Sequence, residues 1–306
     1  MKWNPVKLAP AVLVRGSTKS PAFLHLFLAA GLILATAHAG SSQTLYVANR
    51  TANRIETYNP TTGDLINNSF VTGLDTPGGV TVDPGNNILY VANSGANNVK
   101  AYNASTGVAI SGFSLSLSGA IDVRVSGSTL FVSSNSNNTI GTYNAVTGDV
   151  IAASFIAGFN ASEGITLNGG DIFVVDSGNS LVGRYNATSG ATVSASFIST
   201  FASPAFITSS GSVLYVTDSI SNTIGSYNAT TGAEINANFI NLSQAFGVTY
   251  DSNVLYATGG GSIRAYNATT GGALGGFTPV VTGNNYGGLA VIPEPGTVGF
   301  VAIGAW

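Results

Sequence analysis

The side chains that could perform chemistry in this chain are mostly carboxylates and amides. The 306 residues include no cysteine, and the two histidines, His25 and His38, both lie within the first forty positions. Cysteine nucleophiles, disulfides and thiolate metal sites are therefore excluded. The rest of the chain also lacks the imidazole that a histidine-based catalytic triad or metal site requires. Binding or catalysis must then depend on Asp, Glu, Asn, Arg and aromatic residues.

One set of polar residues occupies equivalent positions of a repeat, directly after short apolar runs of the type Leu-Tyr-Val. The set is Asn49, Asn93, Asp176 and Asp218. A ring of carboxylate and amide oxygens is the kind of ligand set that Ca²⁺ prefers. The same residue types are also common in hairpin turns, where their side chains bond to nearby backbone amides. We favour the turn interpretation and expect no cofactor, with calcium or another divalent metal as the alternative.

The repeat itself is the clearest pattern in the sequence. Six apolar phrases recur at spacings of 41 to 44 residues, and each is followed about thirteen residues later by a Tyr-Asn pair that leads into a turn. The phrases begin at Leu45, Leu89, Leu130, Ile172, Leu214 and Leu255. A period near 42 residues with several short β-rich runs is typical of β-propeller blades.

Each repeat contains four predicted strands. In the second repeat, Gly79–Asp83 alternates apolar and polar residues, as a half-buried inner strand does, and Ile88–Ala92 is a dense apolar run. The first repeat begins at Leu45 with no inner strand before it, whereas Gly287–Ile292 supplies a matching strand after the last repeat. We therefore predict an all-β, six-bladed β-propeller over residues 44–292, closed by the C-terminal strand pairing into the first blade. We also expect a monomer.

In a propeller the inner strands surround a central channel, and a ligand would bind at one mouth of it. Asp122 and Arg124 lie within the third inner strand, while other polar and aromatic residues come just before inner strands or just after second strands. The candidate binding residues at the mouth are Asp75, Glu163, Asp176, Asp218, Phe246 and Tyr286. Among them Glu163 is the candidate metal ligand, although we favour its interpretation as a solvated loop acid.

The phrases Gly-Val-Thr-Val-Asp-Pro and Leu-Tyr-Val-Ala-Asn within Gly79–Asn93 resemble the NHL and YVTN repeats of bacterial surface propellers. The resemblance covers residues 44–292 and implies a propeller that binds proteins, glycans or small molecules, with a few enzymes among its relatives. We therefore expect a non-enzymatic module that binds a protein or an exopolysaccharide. The alternative is a metal-dependent hydrolase, because Glu163-Gly164 resembles the metal-ligating pair of gluconolactonase-like lactonases.

Both ends of the chain resemble processing signals. A basic start precedes the apolar run Phe23–Ala37 and the small-x-small site Ala37-His38-Ala39, which predicts a signal peptide over residues 1–39. This run is shorter than the roughly twenty apolar residues that span a bilayer. Residues 293–306, which begin Pro-Glu-Pro and continue as an apolar tail, resemble the PEP-CTERM sorting signal without its basic end. The two signals imply Sec-type export in a bacterium to the cell envelope or extracellular matrix, with only transient membrane contact.

The charge balance limits the classes of partner. Only 8% of the residues are charged, and without residues 1–39 the chain has six basic residues against thirteen acidic ones, a formal charge of −7. No cluster of Lys and Arg is present to follow a phosphate backbone. The sequence therefore argues against a nucleic-acid partner.

Overall fold

The computed structural model describes residues 43–292, which form 24 β-strands in six antiparallel sheets of four strands each. The strands of blades 1 to 3 are β1 (Leu45–Asn49), β2 (Arg54–Tyr58) and β3 (Leu65–Val71); β4 (Pro77–Asp83), β5 (Ile88–Asn93), β6 (Asn98–Asn103) and β7 (Leu115–Ser116); and β8 (Ala120–Ser126), β9 (Thr129–Ser134), β10 (Thr139–Asn144) and β11 (Val150–Ala157).

Blades 4 to 6 follow the same plan. Their strands are β12 (Ser162–Asn168), β13 (Asp171–Asp176), β14 (Leu181–Asn186) and β15 (Thr192–Ile198); β16 (Pro204–Ser209), β17 (Val213–Asp218), β18 (Thr223–Asn228) and β19 (Glu234–Asn241); and β20 (Val248–Asp251), β21 (Val254–Gly259), β22 (Ser262–Asn267) and β23 (Val280–Val281). The last strand, β24 (Tyr286–Val291), belongs to blade 1.

The ring is closed by this last strand. β24 pairs antiparallel with β1, with Leu45 opposite Val291 and Val47 opposite Leu289. Beyond the ladder, the Ile292 amide donates to the Thr44 carbonyl at 3.2 Å. Neighbouring inner strands contact one another all the way round, including β20 with β24. The prediction of a six-bladed propeller closed through its C-terminal strand is confirmed.

The second strand of each blade is the most buried, because it lies between neighbouring blades. All five residues of β1 are buried, and only Asn49 among them is polar. Burial between two blades explains why these strands have continuous apolar runs. Tyrosines in these strands also bond between blades: the Tyr46, Tyr90 and Tyr215 hydroxyls donate to an alanine carbonyl of the next blade at 2.5 to 2.7 Å. The interfaces between blades are therefore apolar, with one directional hydrogen bond in several of them.

The turns between the third and fourth strands explain the recurring Asn and Gly. The Asn103 side-chain oxygen accepts from the backbone amides of Ser105 and Thr106, and five other blades repeat this arrangement. Gly107 ends the turn at φ +72°, where a Cβ would overlap the Phe70 carbonyl of the preceding blade. Glycine is therefore needed both for its positive φ and for close approach of the blades.

Within residues 43–292 the only helical segment is a 3₁₀ turn at Ser177–Asn179. In that part of the chain no helix is long and apolar enough to cross a membrane. The predicted signal peptide and the predicted sorting tail lie outside the described residues.

Candidate functional site

The residues around the channel are placed there by irregularities in the inner strands. Where β4, β8, β12, β16 and β24 pair with their second strands, the register shifts at two adjacent residues, and such bulges re-aim side chains. The equivalent pair of blade 6 directly precedes β20. From blade 1 to blade 6 the pairs are Gly287-Gly288, Gly78-Gly79, Ile121-Asp122, Glu163-Gly164, Ala205-Phe206 and Phe246-Gly247.

Blades 1 and 2 have only glycine in these pairs, whereas blades 3 to 6 each have a large side chain, and the large side chains fill the channel. The Phe206 ring of blade 5 is 1% exposed and reaches to within 3.3 Å of where a Cβ on Gly288 of blade 1 would lie. Phe206 also packs on Phe246, with 5.0 Å between ring centroids. The glycine pairs of blades 1 and 2 have no side chains, and this leaves the room that the two rings occupy. The channel is therefore plugged at this level rather than open through the disc.

Asp122 is fully buried and completes the plug, paired with the partly buried Arg124. One carboxylate oxygen accepts from Arg124 Nη1 at 2.7 Å and from the Val123 amide at 2.9 Å, and the other accepts from the Ile165 amide of blade 4 at 3.0 Å. Burial raises the pKa of the Asp122 carboxyl, while Arg124 and the two amides oppose that shift. The bond from Ile165 joins blade 4 to blade 3. Both carboxylate oxygens of Asp122 are thus already hydrogen-bonded within the protein.

Above the plug, one mouth of the channel holds a cation stacked on an aromatic ring. The Arg50 guanidinium carbon lies 5.3 Å from the Phe246 ring centroid, in cation–π geometry. The Arg50 backbone amide donates to the Asn285 carbonyl at 2.9 Å, which fixes the loop after β1 against the start of β24. The buried Nε of Arg50 has no hydrogen-bond partner within residues 43–292. The structure therefore leaves this donor unsatisfied among the described residues.

Glu163 lies on the same mouth, at the bulge of β12. Burial raises the pKa of Glu163 to about 7, and the nearby charge of Asp122 adds to that effect. The positive charge of Arg50 and a hydrogen bond with Asn135 act in the opposite direction. The carboxyl therefore changes its charge near neutral pH, so the mouth has a net charge that depends on pH in that range.

A hollow of about 440 Å³ adjoins this mouth between blades 6 and 1. Phe246 and Tyr286 line it together with Gly259, Asn284 and Asn285. The Tyr286 hydroxyl is hydrogen-bonded to Thr282 Oγ1 at 2.7 Å, which holds the ring as a wall of the hollow. Two of the predicted site residues, Phe246 and Tyr286, thus line the same hollow, and Glu163 belongs to the same mouth.

The other predicted site residues hold loops in place. Asp176 accepts from the Asn160 amide at 2.9 Å, and Asp218 accepts from the amides of Ala202, Ser203 and Ser221. Hydrogen bonds from these amides lower the pKa of Asp218 and outweigh the effect of its burial. Asp75 is exposed and accepts from its neighbour Thr76 at 3.1 Å. Within the described residues no group of three or more His, Cys, Asp or Glu side chains is arranged to hold a metal ion.

Arg50 is the mouth residue that sequence analysis did not single out. It directly follows the repeat position of Asn49, where the other blades have Ser94, Asn135, Ser177, Ser219 and Gly260. A single large cation among small polar residues at one repeat position is the signal that identifies it.

Comparisons with known proteins agree with the fold. No family model matches the chain, and no curated protein matches it. Among solved structures, a chain from the crystal structure of a nidogen/laminin complex superposes with a TM-score of 0.68 at 13% identity, covering 81% of this chain and 98% of that one. A computationally designed protein named Ika8 gives a TM-score of 0.49 at 11% identity, covering 79% of this chain and 73% of that one. At such identities the first likeness shows the fold alone, a β-propeller.

Proposed function

We propose that this protein is an exported, non-enzymatic binding module whose ligand, a protein or polysaccharide of the cell envelope or matrix, docks at the Arg50 mouth of the channel. Propellers generally act as binding modules or scaffolds, and the first structural likeness is consistent with that general role. Export to the envelope and removal of both terminal segments are part of the proposal. They rest on the sequence signals alone.

One observation carries the choice of this mouth: the buried Nε of Arg50 has no hydrogen-bond partner among the described residues, while its guanidinium stacks on Phe246. A buried donor without a partner costs about 1–3 kcal/mol. A ligand that draws the Arg50 side chain outward and gives Nε a hydroxyl, carbonyl or carboxylate oxygen would recover that free energy. Tyr286 and the adjoining hollow add an aromatic wall and space for more of the ligand.

The alternative hydrolase function is less well supported by the side chains around Glu163. A metal ligand there would need further oxygen or nitrogen ligands from other blades. The carboxylate of Asp122 is fully hydrogen-bonded, and Arg50 places a cation on the same mouth. We therefore propose binding rather than hydrolysis.

The test is a screen of the purified protein against envelope polysaccharide fractions and against proteins extracted from the envelope. Arg50→Gln is expected to weaken binding of the retained ligand at least tenfold. Lys100→Gln is the matched control, because it also removes one positive charge but lies on an exposed part of β6. Equal binding by both variants would place the ligand elsewhere. Metal-dependent lactone hydrolysis that disappears in Glu163→Gln would replace the binding function with the enzymatic one.

A further inference from the structure

A groove between blades 3 and 4 has a volume of about 680 Å³. Its floor contains Phe131 and Phe155, whose ring centroids are 5.9 Å apart. Ile151, 60% exposed, forms one rim. Asp171 and the turn residues Ala187 and Thr188 of blade 4 line the opposite side. The volume lies in the range of ordinary ligand sites, about 300–1,000 Å³.

The next interface along the ring, between blades 4 and 5, shows what such a groove accommodates. There the Arg184 guanidinium carbon lies 5.8 Å from the Phe173 ring centroid and 5.5 Å from that of Phe197. Arg184 Nε and Nη2 donate to Asp171 at 2.8 and 2.6 Å, and Nη1 donates to the Thr230 carbonyl of blade 5 at 3.0 Å. An arginine side chain thus fills the groove and bonds to both of its walls.

The groove between blades 3 and 4 has the same aromatic floor and turn without the arginine, and Thr129 occupies the repeat position of Asp171. Thr142 pairs with Phe131 in the ladder as Arg184 pairs with Phe173, so Thr142 occupies the repeat position of Arg184. Phe155 corresponds to Phe197, and Thr188 corresponds to Thr230. The aromatic floor and the carbonyl-bearing turn are therefore retained, while the side chain that would cover them is short.

Hydrogen bonding across the blades leads to the same conclusion. In three interfaces a tyrosine hydroxyl donates to the alanine carbonyl of the next blade. At this repeat position blades 3 and 4 have phenylalanine, Phe131 and Phe173, which has no donor. From blade 4, Arg184 donates to the Thr230 carbonyl of blade 5, whereas from blade 3 the equivalent Thr142 is too short to make such a bond to blade 4. A side chain with both a hydrogen-bond donor and a flat face would therefore fit this groove as Arg184 fits the next one.

We propose that the groove between blades 3 and 4 binds an arginine side chain from a basic protein partner. A guanidinium has five N–H donors in a plane and stacks on aromatic rings. The net charge of the whole chain, −3, also favours a cation, although Asp171, which lines the groove, is already paired with Arg184. This site is separate from the channel mouth, and the proposal does not depend on the function assigned there.

The test uses the purified full chain and a fluorescently labelled tetra-arginine peptide, with fluorescence anisotropy as the readout. Thr142→Arg is expected to weaken binding at least tenfold, because the new side chain would fill the groove as Arg184 fills its own. Ser105→Arg is the matched control: it adds the same charge at an exposed turn outside the groove. Conversely, Arg184→Thr would open an equivalent groove and raise the number of peptides bound per chain from one to two.

Three results would overturn the proposal. The first is equal affinity for Thr142→Arg and Ser105→Arg, which would show that the peptide binds through general charge. The second is equal binding of a peptide in which citrulline replaces arginine. The third is binding of a neutral oligosaccharide that Thr142→Arg blocks, with no binding of the arginine peptide. Loss of peptide binding in Arg50→Gln is not expected, so failure at the mouth and failure at the groove remain distinguishable.

Discussion

The guanidinium of Arg50, from the first blade of the chain, stacks 5.3 Å from the ring of Phe246, from the last, and its buried Nε has no hydrogen-bond partner in residues 43–292. Stability alone does not favour such an arrangement, because desolvation of a cation and an unmatched donor both oppose folding. Burial correspondingly lowers the pKa of Arg50.

Arg50→Met is therefore expected to stabilise the fold while it abolishes ligand binding at the mouth. The gain should be about 1 kcal/mol, since relief of the unmatched donor exceeds loss of the cation–π contact. It should be measured by urea unfolding near pH 5, where Glu163 is protonated and does not depend on the positive charge. Lys100→Met, at an exposed site, serves as control. A less stable Arg50→Met at that pH would contradict this account.

Stability should fall as the pH rises through the titration of Glu163. The pKa of Glu163 is raised to about 7 in the folded state, against about 4.3 in an unfolded chain. Between those values the folded state holds a proton that the unfolded state has released, so the free energy of unfolding decreases with pH and becomes level above pH 7. Glu163→Gln should remove this decrease and be the more stable form at pH 8, by at most about 4 kcal/mol.

The measurement is chemical unfolding of both proteins at intervals from pH 4.5 to 8.5. Glu234→Gln, at an exposed position of β19, is the matched control. A difference between Glu163→Gln and the unaltered protein that stays constant over this range would refute the raised pKa.

Removal of the buried carboxylate in the plug should be strongly destabilising. Asp122→Asn would leave Arg124 partly buried without its counter-charge and would turn amide hydrogens towards the backbone donors that Asp122 now binds. Breaking one side of a buried ion pair costs about 3–5 kcal/mol. Asp149→Asn, in an exposed turn, should change stability by less than about 0.5 kcal/mol. Thermal unfolding of the two variants would separate these expectations, and similar Tm values would contradict them.

The tyrosine hydrogen bonds between blades lead us to expect opposite effects from removing a tyrosine hydroxyl and from adding one. Tyr90→Phe leaves the Ala145 carbonyl without its donor and should cost about 1 kcal/mol. Phe131→Tyr should place a hydroxyl against the equivalent Ala187 carbonyl, so its stability should be unchanged or higher. Urea unfolding of both variants tests the pair, and a large loss in Phe131→Tyr would show that the two interfaces are not equivalent.

Loss of the closing strand should abolish the folded ring. A chain that ends at Asn285 lacks β24 and exposes the edge of β1, all of whose residues are buried. Loss of Leu289 and Tyr286 alone removes roughly 1.5–3 kcal/mol per buried side chain, within a typical total of about 5–15 kcal/mol. Size-exclusion chromatography and limited proteolysis should show aggregated or protease-sensitive protein, whereas a chain ending at Pro293 should remain folded. An unchanged Tm in the shorter chain would contradict the closure.

The blades were predictable because each repeat places its own signals locally. The apolar phrase, the Asn that caps a turn and the Gly at positive φ all act within a few residues. Gly287–Ile292 has the residue pattern of the other inner strands and can be assigned to the first blade from that pattern. The site was only partly predictable. Glu163, Phe246 and Tyr286 were expected at the mouth because they precede inner strands, but the bulges that aim Phe206 and Asp122 across the channel depend on pairing between strands.

Asp176 and Asp218 show a second reason why the sequence predicts the site only in part. A carboxylate that ends a buried strand is equally suited to a ligand site and to backbone amides of its own loop, and only the positions of those amides decide between the two. The unpaired donor of Arg50 likewise becomes apparent only when blades 1 and 6 are side by side.

The bond between the Ile292 amide and the Thr44 carbonyl places both ends of the propeller together. β1 runs from Leu45 towards Arg50 and β24 runs back from Tyr286, so Thr44 and Ile292 lie on the face of the disc opposite the Arg50 mouth. Anything that tethers the chain before residue 43 or after residue 292 therefore attaches at one point on that far face. Any such attachment would therefore lie on the face opposite the ligand site proposed at Arg50.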